Sequence, residues 1–145
     1  MSGILVGLDG SAHSERPLAW AVEEAAARKA PLTVLAVHEV VSNHWTGHPV
    51  TYPGDQPELD KIRLAAEEMT QEAVHQAGEP GPASVTVRAV SGLSAEELIG
   101  ASREADLIVV GSRGGGGFAK LMLGSVSSQV LHHAHCPVAV IRGGR

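Results

Sequence analysis

The sequence is short of cysteine, aromatic residues and positive charge, and each shortage excludes a class of function. Cys136 is the single cysteine in 145 residues, so an internal disulfide and a multi-cysteine zinc or iron–sulfur site are excluded. Aromatic residues make up 3% of the chain, too few for a platform on which single-stranded bases stack. The 11 Lys and Arg are outnumbered by 16 Asp and Glu, and the net charge of −5 removes the attraction to phosphate that duplex-binding proteins use. We therefore expect no nucleic-acid partner.

Long apolar runs are missing as well. No stretch approaches the roughly 18 residues that span a bilayer, and Met1-Ser2-Gly3 opens the chain without the basic region of a secretory signal. We therefore expect no membrane association and a cytoplasmic location. With 43% apolar and 19% charged residues, the composition predicts one globular domain over 1–145 that can bury a core.

Short β-branched segments alternate with helical patterns along the chain. The segments that predict strands are 4–8, 32–37, 85–90, 107–110 and 138–141. Apolar residues recur at helical spacing in 14–29, in 58–77, from Ser94 onward and in about 125–133. Most of the strands are apolar at every position, which is typical of strands covered on both faces. The sequence therefore predicts an α/β fold, a doubly wound parallel five-stranded sheet with helices on both faces.

Local signals predict how several elements begin and end. Residues 85–90 alternate between apolar and polar side chains, which indicates an edge strand. The run Ser94-Ala95-Glu96-Glu97 has the pattern of a capping box at a helix start, and Gly78 marks the end of the second helix. Residues 41–57, rich in Pro and Gly with few apolar anchors, predict one long, mobile loop.

The stretch from Val109 to Ser127 carries the most information about function. It leads from the carboxyl end of a buried strand to the start of the last helix, where open α/β sheets bind ligands. Its glycines let backbone N–H groups approach a phosphate, and the hydroxyls of Ser125 and Ser127 lie at the positive end of that helix. Adjacent glycines are also typical of a flexible surface loop, so composition alone leaves both interpretations open. The Walker A and dinucleotide fingerprints are absent.

The spacing Gly111-x2-Gly114-x9-Gly124-Ser125 resembles the ATP-binding signature of the universal stress protein family. Residues Ile4 to Ser11 are similar to that family's first strand and acidic turn, and Cys136 to Ile141 are similar to its closing strand. The resemblance covers nearly the whole chain. It implies the sheet order 3-2-1-4-5 and ATP, with or without Mg²⁺, bound across the carboxyl ends of the first and fourth strands.

The resemblance also implies roles for individual residues. On the adenosine side it places Gly7, Asp9 as the carboxylate that reaches the ribose, and Glu39 at an adenine-contacting position. Beside the ribose and phosphates it places Val110, Gly111, Arg113 and Gly114, and in the phosphate cradle Gly124, Ser125, Val126 and Ser127. The residues themselves leave alternatives open: Asp9 as a cap of the following turn, and Arg113 as a solvated side chain.

Other residues that could bind a metal or act as nucleophiles are better explained by structural roles. His132, His133 and His135 beside Cys136 suggest a metal, but no carboxylate pair lies nearby in the sequence. Histidines that complement a helix dipole are the commoner case, so we expect no metal site. Cys136 enters a buried strand, which favours packing over catalysis. No Gly-x-Ser-x-Gly nucleophile motif is present.

We interpret the chain as an ATP-binding regulatory module of the stress response, not an enzyme, with at most slow hydrolysis. One alternative is a fold-related adenylating or pyrophosphate-releasing enzyme. Such enzymes generally carry Ser-Gly-Gly-x-Asp-Ser after the first strand, where this chain has Asp9 to Ser14. Another alternative is an interaction protein with an empty pocket. The apolar segment Pro137 to Ile141 predicts a homodimer through the last strand, as the family commonly forms, while a regulatory protein partner stays unidentified.

Overall fold

Strands and helices alternate along the chain in a computed structural model, which describes residues 3–8, 14–39, 55–112 and 124–142. The strands are β1 (Ile4–Leu8), β2 (Pro31–Glu39), β3 (Ser84–Gly92), β4 (Leu107–Gly111) and β5 (Val138–Ile141). The α-helices are α1 (Glu15–Arg28), α2 (Asp55–Ala77), α3 (Ser94–Ala101) and α4 (Ser125–His133), and a 3-10 turn over Ser102–Glu104 follows α3.

The five strands are parallel and lie in the order β3-β2-β1-β4-β5. Helices α1 and α2 cover one face of the sheet, and α3 and α4 cover the other. This arrangement confirms the predicted doubly wound α/β fold. The strand order reverses at β1 and β4, and a crevice at the carboxyl ends of such a pair is the usual ligand site of open α/β sheets.

Side chains of β1 enter both hydrophobic cores in turn. Ile4, Val6 and Leu8 pack with α1 and α2, whereas Leu5 packs with residues of α3, α4 and β4. Because successive side chains of a strand point to opposite faces, both sets must be apolar when both faces are covered. This double burial explains why the central strands are apolar at every position.

The structure departs from the sequence patterns at the start of α2. Helix α2 begins at Asp55 instead of 58, so the last residues of the predicted 41–57 loop are helical, with Pro57 in the first turn, where a missing N–H is tolerated. The rest of that segment, and its predicted mobility, lies outside the described residues. Gly78, with φ 79°, follows the last residue of α2 as predicted. No helix within the described ranges is long and apolar enough to cross a membrane.

Strands β3 and β5 form the two edges of the sheet. The exposed residues Ser84, Thr86 and Arg88 on one face of β3 confirm the edge predicted from its alternation. On β5, the carbonyls of Pro137 and Ile141 accept hydrogen bonds from the β4 side at 3.0 and 2.9 Å. Because neighbouring residues of a strand direct their N–H and C=O groups to opposite edges, those of the intervening Val138 and Val140 point away from β4.

Gly7 lets α3 approach the centre of the sheet. A Cβ at this position would lie 2.7 Å from Cδ2 of Leu98, which is itself buried in the core under α3. Real Cβ atoms do not come this close to another carbon, so a side chain at residue 7 requires that the Leu98 side chain, the helix or the strand move. Gly7 therefore has a packing role of its own.

Gly7→Val should lower the free energy of unfolding by about 1–3 kcal/mol through overpacking. Adding Leu98→Ala should relieve the clash, so the double variant should be more stable than the sum of the two single losses predicts. Urea denaturation followed by circular dichroism measures both effects. Gly100→Ala is the control, because a Cβ there meets nothing within 4 Å; a comparable loss at Gly100 would contradict the packing explanation.

Candidate functional site

Three hydrogen bonds join the carboxyl end of β4 to its neighbours, one to the end of β5 and two to the start of α4. The Ser112 amide donates to the Ile141 carbonyl, and the Gly124 amide donates to the Ser112 carbonyl, both at 2.9 Å. The Ser127 hydroxyl donates to the Gly111 carbonyl. These bonds hold the helix start against the strand that forms one side of the crevice. The sequence did not single out Ser112, although it occupies one of the two variable positions between Gly111 and Gly114.

The start of α4 presents a positive end to this crevice. Gly124 is the N-cap, with φ −64° and ψ 159°, and no side chain caps the helix. Its carbonyl accepts the first helical hydrogen bond, from the Ser128 amide at 2.9 Å. The amides of residues 125–127 precede that bond and have no acceptor inside the helix. Such amides, together with the helix dipole, favour an anion.

The two serines of the first turn are used differently. Ser125 is exposed at the helix start, while Ser127 is buried and its hydroxyl proton goes to Gly111. The sequence pattern predicts that both hydroxyls can donate to an anion. In this arrangement Ser127 has only its backbone N–H left to donate, whereas the Ser125 side chain lies on the open side of the helix.

Two of the predicted site residues, Gly7 and Val110, lie within strands and offer no side-chain functional group to a ligand. Val110 is 4% exposed and packs in the core under α3 and α4. Gly7 lies in β1, opposite Leu35 of β2, with its missing side chain replaced by Leu98. Any direct contact of Val110 or Gly7 with a ligand must therefore come from the backbone.

The Glu39 carboxylate caps α3 instead of standing free. Its Oε2 accepts hydrogen bonds from the Ser94 amide at 2.8 Å and from the Ser94 hydroxyl at 2.6 Å. The predicted capping box is wrong, because α3 begins at Ser94 itself with Leu93 as N-cap. Leu93 has no side-chain oxygen, so a carboxylate from the end of β2 takes the capping role. Register explains the contact, since Glu39 lies opposite Gly92, just before α3.

The structure brings together part of the predicted site. Gly111, Gly124, Val126 and the two serines meet at the end of β4, and Glu39 lies two strands away, at the end of β2. Asp9, Arg113 and Gly114 lie outside the described residues, so the structure does not show where they are.

Histidine and cysteine residues in the last turn of α4 and just after it make local contacts. His132 Nδ1 lies 2.8 Å from the Ser128 carbonyl, and the His135 amide donates to the Ser102 hydroxyl at 2.9 Å. Burial raises the pKa of the Cys136 thiol, which disfavours the nucleophilic thiolate. Within the part of the chain that the structure describes, no three His, Cys, Asp or Glu side chains are placed to hold a metal.

Comparison with known proteins confirms the family resemblance. Residues 1–142 match the Universal stress protein family. A universal stress protein of Mycobacterium tuberculosis is 38% identical over 144 residues, which cover 96% of this chain and 47% of that protein. The chain spans about half the length of the curated relatives it matches.

Solved structures have the same fold. The universal stress protein UspA of Lactobacillus plantarum aligns with a TM-score of 0.76 and 26% identity over 97% of each chain. A universal stress protein in complex with cAMP aligns with a TM-score of 0.68 and 27% identity, over 97% of this chain and 96% of that one.

Glu39→Ala should lower the free energy of unfolding by about 1 kcal/mol, the usual worth of a helix cap. Glu39→Gln keeps an acceptor oxygen and should lose less. The double variant Glu39→Ala, Ser94→Ala should lose less free energy of unfolding than the sum of the two single losses, because both substitutions remove part of the same contact. Guanidinium unfolding measures these values. Glu96→Ala changes a nearby exposed carboxylate of α3, and an equal loss there would contradict a specific cap.

Proposed function

The chain belongs to the universal stress protein family, and on that premise we propose that it is a regulatory module that binds ATP, with or without Mg²⁺. The observation that carries the proposal is the start of α4, which is held against the end of β4 and whose first amides have no acceptor inside the helix. The relative at 27% identity that was solved with cAMP supports an adenine nucleotide as the class of ligand.

The phosphates would lie on the first turn of α4. The amides of residues 125–127 and the Ser125 hydroxyl would donate to phosphate oxygens. Gly124 has no Cβ, so a phosphate can approach the chain at this position. On the family resemblance alone, we assign Arg113 and Gly114 to the loop beside the ribose and the phosphates.

The adenosine would lie toward the ends of β1 and β2. We assign the ribose hydroxyls to Asp9 and the floor of the site to Gly7, Val110 and Gly111. Glu39 would face the adenine through its backbone, because its carboxylate is already bound to Ser94. Its charge therefore matters little for the base, while its capping of α3 fixes the chain at that point.

We propose that ATP is held and hydrolysed slowly at most. Fast phosphoryl transfer needs a group that holds a metal and a residue that positions the attacking water near the γ-phosphate. The residues that we place at the phosphates supply backbone amides, a hydroxyl and a guanidinium, and the carboxylate of Asp9 is assigned to the ribose. A role in regulation suits the family, whose members are generally stress-response proteins.

Gly124→Val should weaken ATP binding by about thirtyfold, roughly 2 kcal/mol, because a branched side chain keeps phosphate oxygens from the helix start. The φ and ψ of residue 124 are extended values that valine adopts, so the variant should fold. Calorimetric titration with ATP measures the affinity, and circular dichroism checks the fold. Ser125→Ala, which removes one hydroxyl donor, should lose about 1–2 kcal/mol of binding.

Two results would overturn these assignments. Wild-type affinity in folded Gly124→Val would show that the phosphates lie elsewhere. No nucleotide binding by the wild type at millimolar ATP with Mg²⁺ would instead favour an interaction protein with an empty pocket.

We also propose a symmetric homodimer through β5. Pro137 to Ile141 form an apolar edge strand whose side chains are only partly covered in the single chain. Within the described residues no strand pairs with the outward edge of β5, so the N–H and C=O groups of Val138 and Val140 can pair with a second copy. The curated relatives, about twice as long, have room for a second unit of this size in one chain.

Val140→Pro should convert the dimer into a monomer, because it removes an N–H that points to the open edge while leaving the pairing with β4 intact. Ala139→Pro is the matched control, since residue 139 turns its N–H toward β4 and its loss should instead lower the stability of the fold. Sedimentation velocity and thermal unfolding separate the two effects. A stable wild-type monomer at micromolar concentration would count against the dimer.

A further inference from the structure

A groove of about 740 Å³ runs between α2 and the edge strand β3. Strand β3 lies at the opposite edge of the sheet from β5, so β1 and β2 separate the groove from the end of β4. The proposed nucleotide site therefore does not use this groove.

The floor of the groove is apolar. It is formed by Val74 of α2 and by Val85 and Val87 of β3. Val85 is 41% exposed, and the other two are partly buried against the core under α1 and α2. An apolar side chain placed over Val85 would therefore remove apolar surface from water, which is favourable.

The rim of the groove is acidic. Glu67 and Glu79 contribute carboxylates to its lining, and His75 lies between them along the chain. Of the residues with a described position, no Lys or Arg lines the groove. Arg63 reaches Glu67 only at 3.9 Å, and both side chains are well exposed. Because exposed pairs of this kind are weak, the Glu67 carboxylate is available to a cation from outside, and Glu79 is exposed to solvent.

The open edge of β3 offers backbone partners. Strand β3 pairs with β2 along residues 84–92, and among the residues that the structure describes no strand pairs with its other edge. An extended peptide can add to such an edge, with every second side chain directed into the groove.

The spacing of the two carboxylates matches an extended chain. Helix α2 connects two parallel strands and so runs antiparallel to them, which places Glu67 and Glu79 toward opposite ends of the groove. From Glu67 to Ala77 the helix rises about 15 Å. Four residues of an extended strand cover about 13 Å, so cations at positions i and i+4 can face the two carboxylates.

We propose that this groove binds an extended basic segment of a partner protein. Its backbone pairs with the edge of β3, an apolar side chain at position i+2 covers Val85, and Lys or Arg at i and i+4 face Glu67 and Glu79. The pattern that fits is therefore cation-x-apolar-x-cation. This site is independent of the proposed nucleotide site.

The test uses the end-blocked peptide Thr-Lys-Thr-Val-Thr-Lys-Thr and the complete chain labelled with ¹⁵N. Titration should shift the amide resonances of β3 and of the second half of α2. A peptide with Glu in place of both Lys should not bind. A peptide of the same composition with the two Lys adjacent should bind several-fold more weakly, because it cannot reach both carboxylates.

Matched variants separate this site from general charge attraction. Glu67→Gln and Glu79→Gln should each weaken binding by about threefold. Glu68→Gln makes the same charge change at an exposed neighbour outside the groove and should have no effect. Val85→Lys should weaken binding by about tenfold through lost burial and repulsion, whereas Leu131→Lys, at a residue of α4 that is 45% exposed, should not.

Several outcomes would overturn the proposal. One is the absence of binding at millimolar peptide, and another is a set of amide resonance shifts that map to a different surface. A third is an equal loss of peptide affinity in Glu67→Gln and Glu68→Gln. Loss of self-association in Val85→Lys would show that a second copy of this chain, not a basic segment, occupies the groove.

Discussion

Coverage of the parallel sheet on both faces is the constraint on which this protein depends. The chain passes from β1 outward to β2 and β3, then returns to the other side of β1 for β4 and β5. Because crossovers between parallel strands are right-handed, the two directions of travel place α1 and α2 on one face and α3 and α4 on the other. Helices α1 and α4, which follow β1 and β4, then lie on opposite faces, and a crevice between the ends of these two strands is a result of covering the sheet.

Much of the fold could be predicted because the pattern of apolar and polar residues along a strand reflects which of its faces are buried. The apolar runs of β1 and β4 and the alternation of β3 each indicated how many faces were covered. Contacts that depend on strand register could not be predicted in this way. Ser94 looked like a helix cap because its neighbours fit the pattern, but the register that places Glu39 opposite Gly92 supplies a carboxylate from another strand.

For the candidate site, the sequence pattern predicted a location but not the contacts of individual side chains. The glycine spacing led to the end of β4 and the start of α4, because it depends on where a backbone must come close to another group. The glycine spacing did not indicate which groups the individual side chains hydrogen-bond to. The Ser127 hydroxyl looked like an anion donor until the fold placed the Gly111 carbonyl beside it, and Val110, which fits the family pattern, is inside the core.

One residue links an edge of this sheet to the start of a helix. Ser112 donates through its N–H to Ile141 and accepts through its carbonyl from Gly124, so β5 and α4 meet at a single residue. A shift of either element must change the orientation of that shared residue. Events at the sheet edge and at the helix start are thus in mechanical contact, and thermodynamic reciprocity requires that any influence between them be equal in both directions. Coupling between these two elements therefore needs no moving domain.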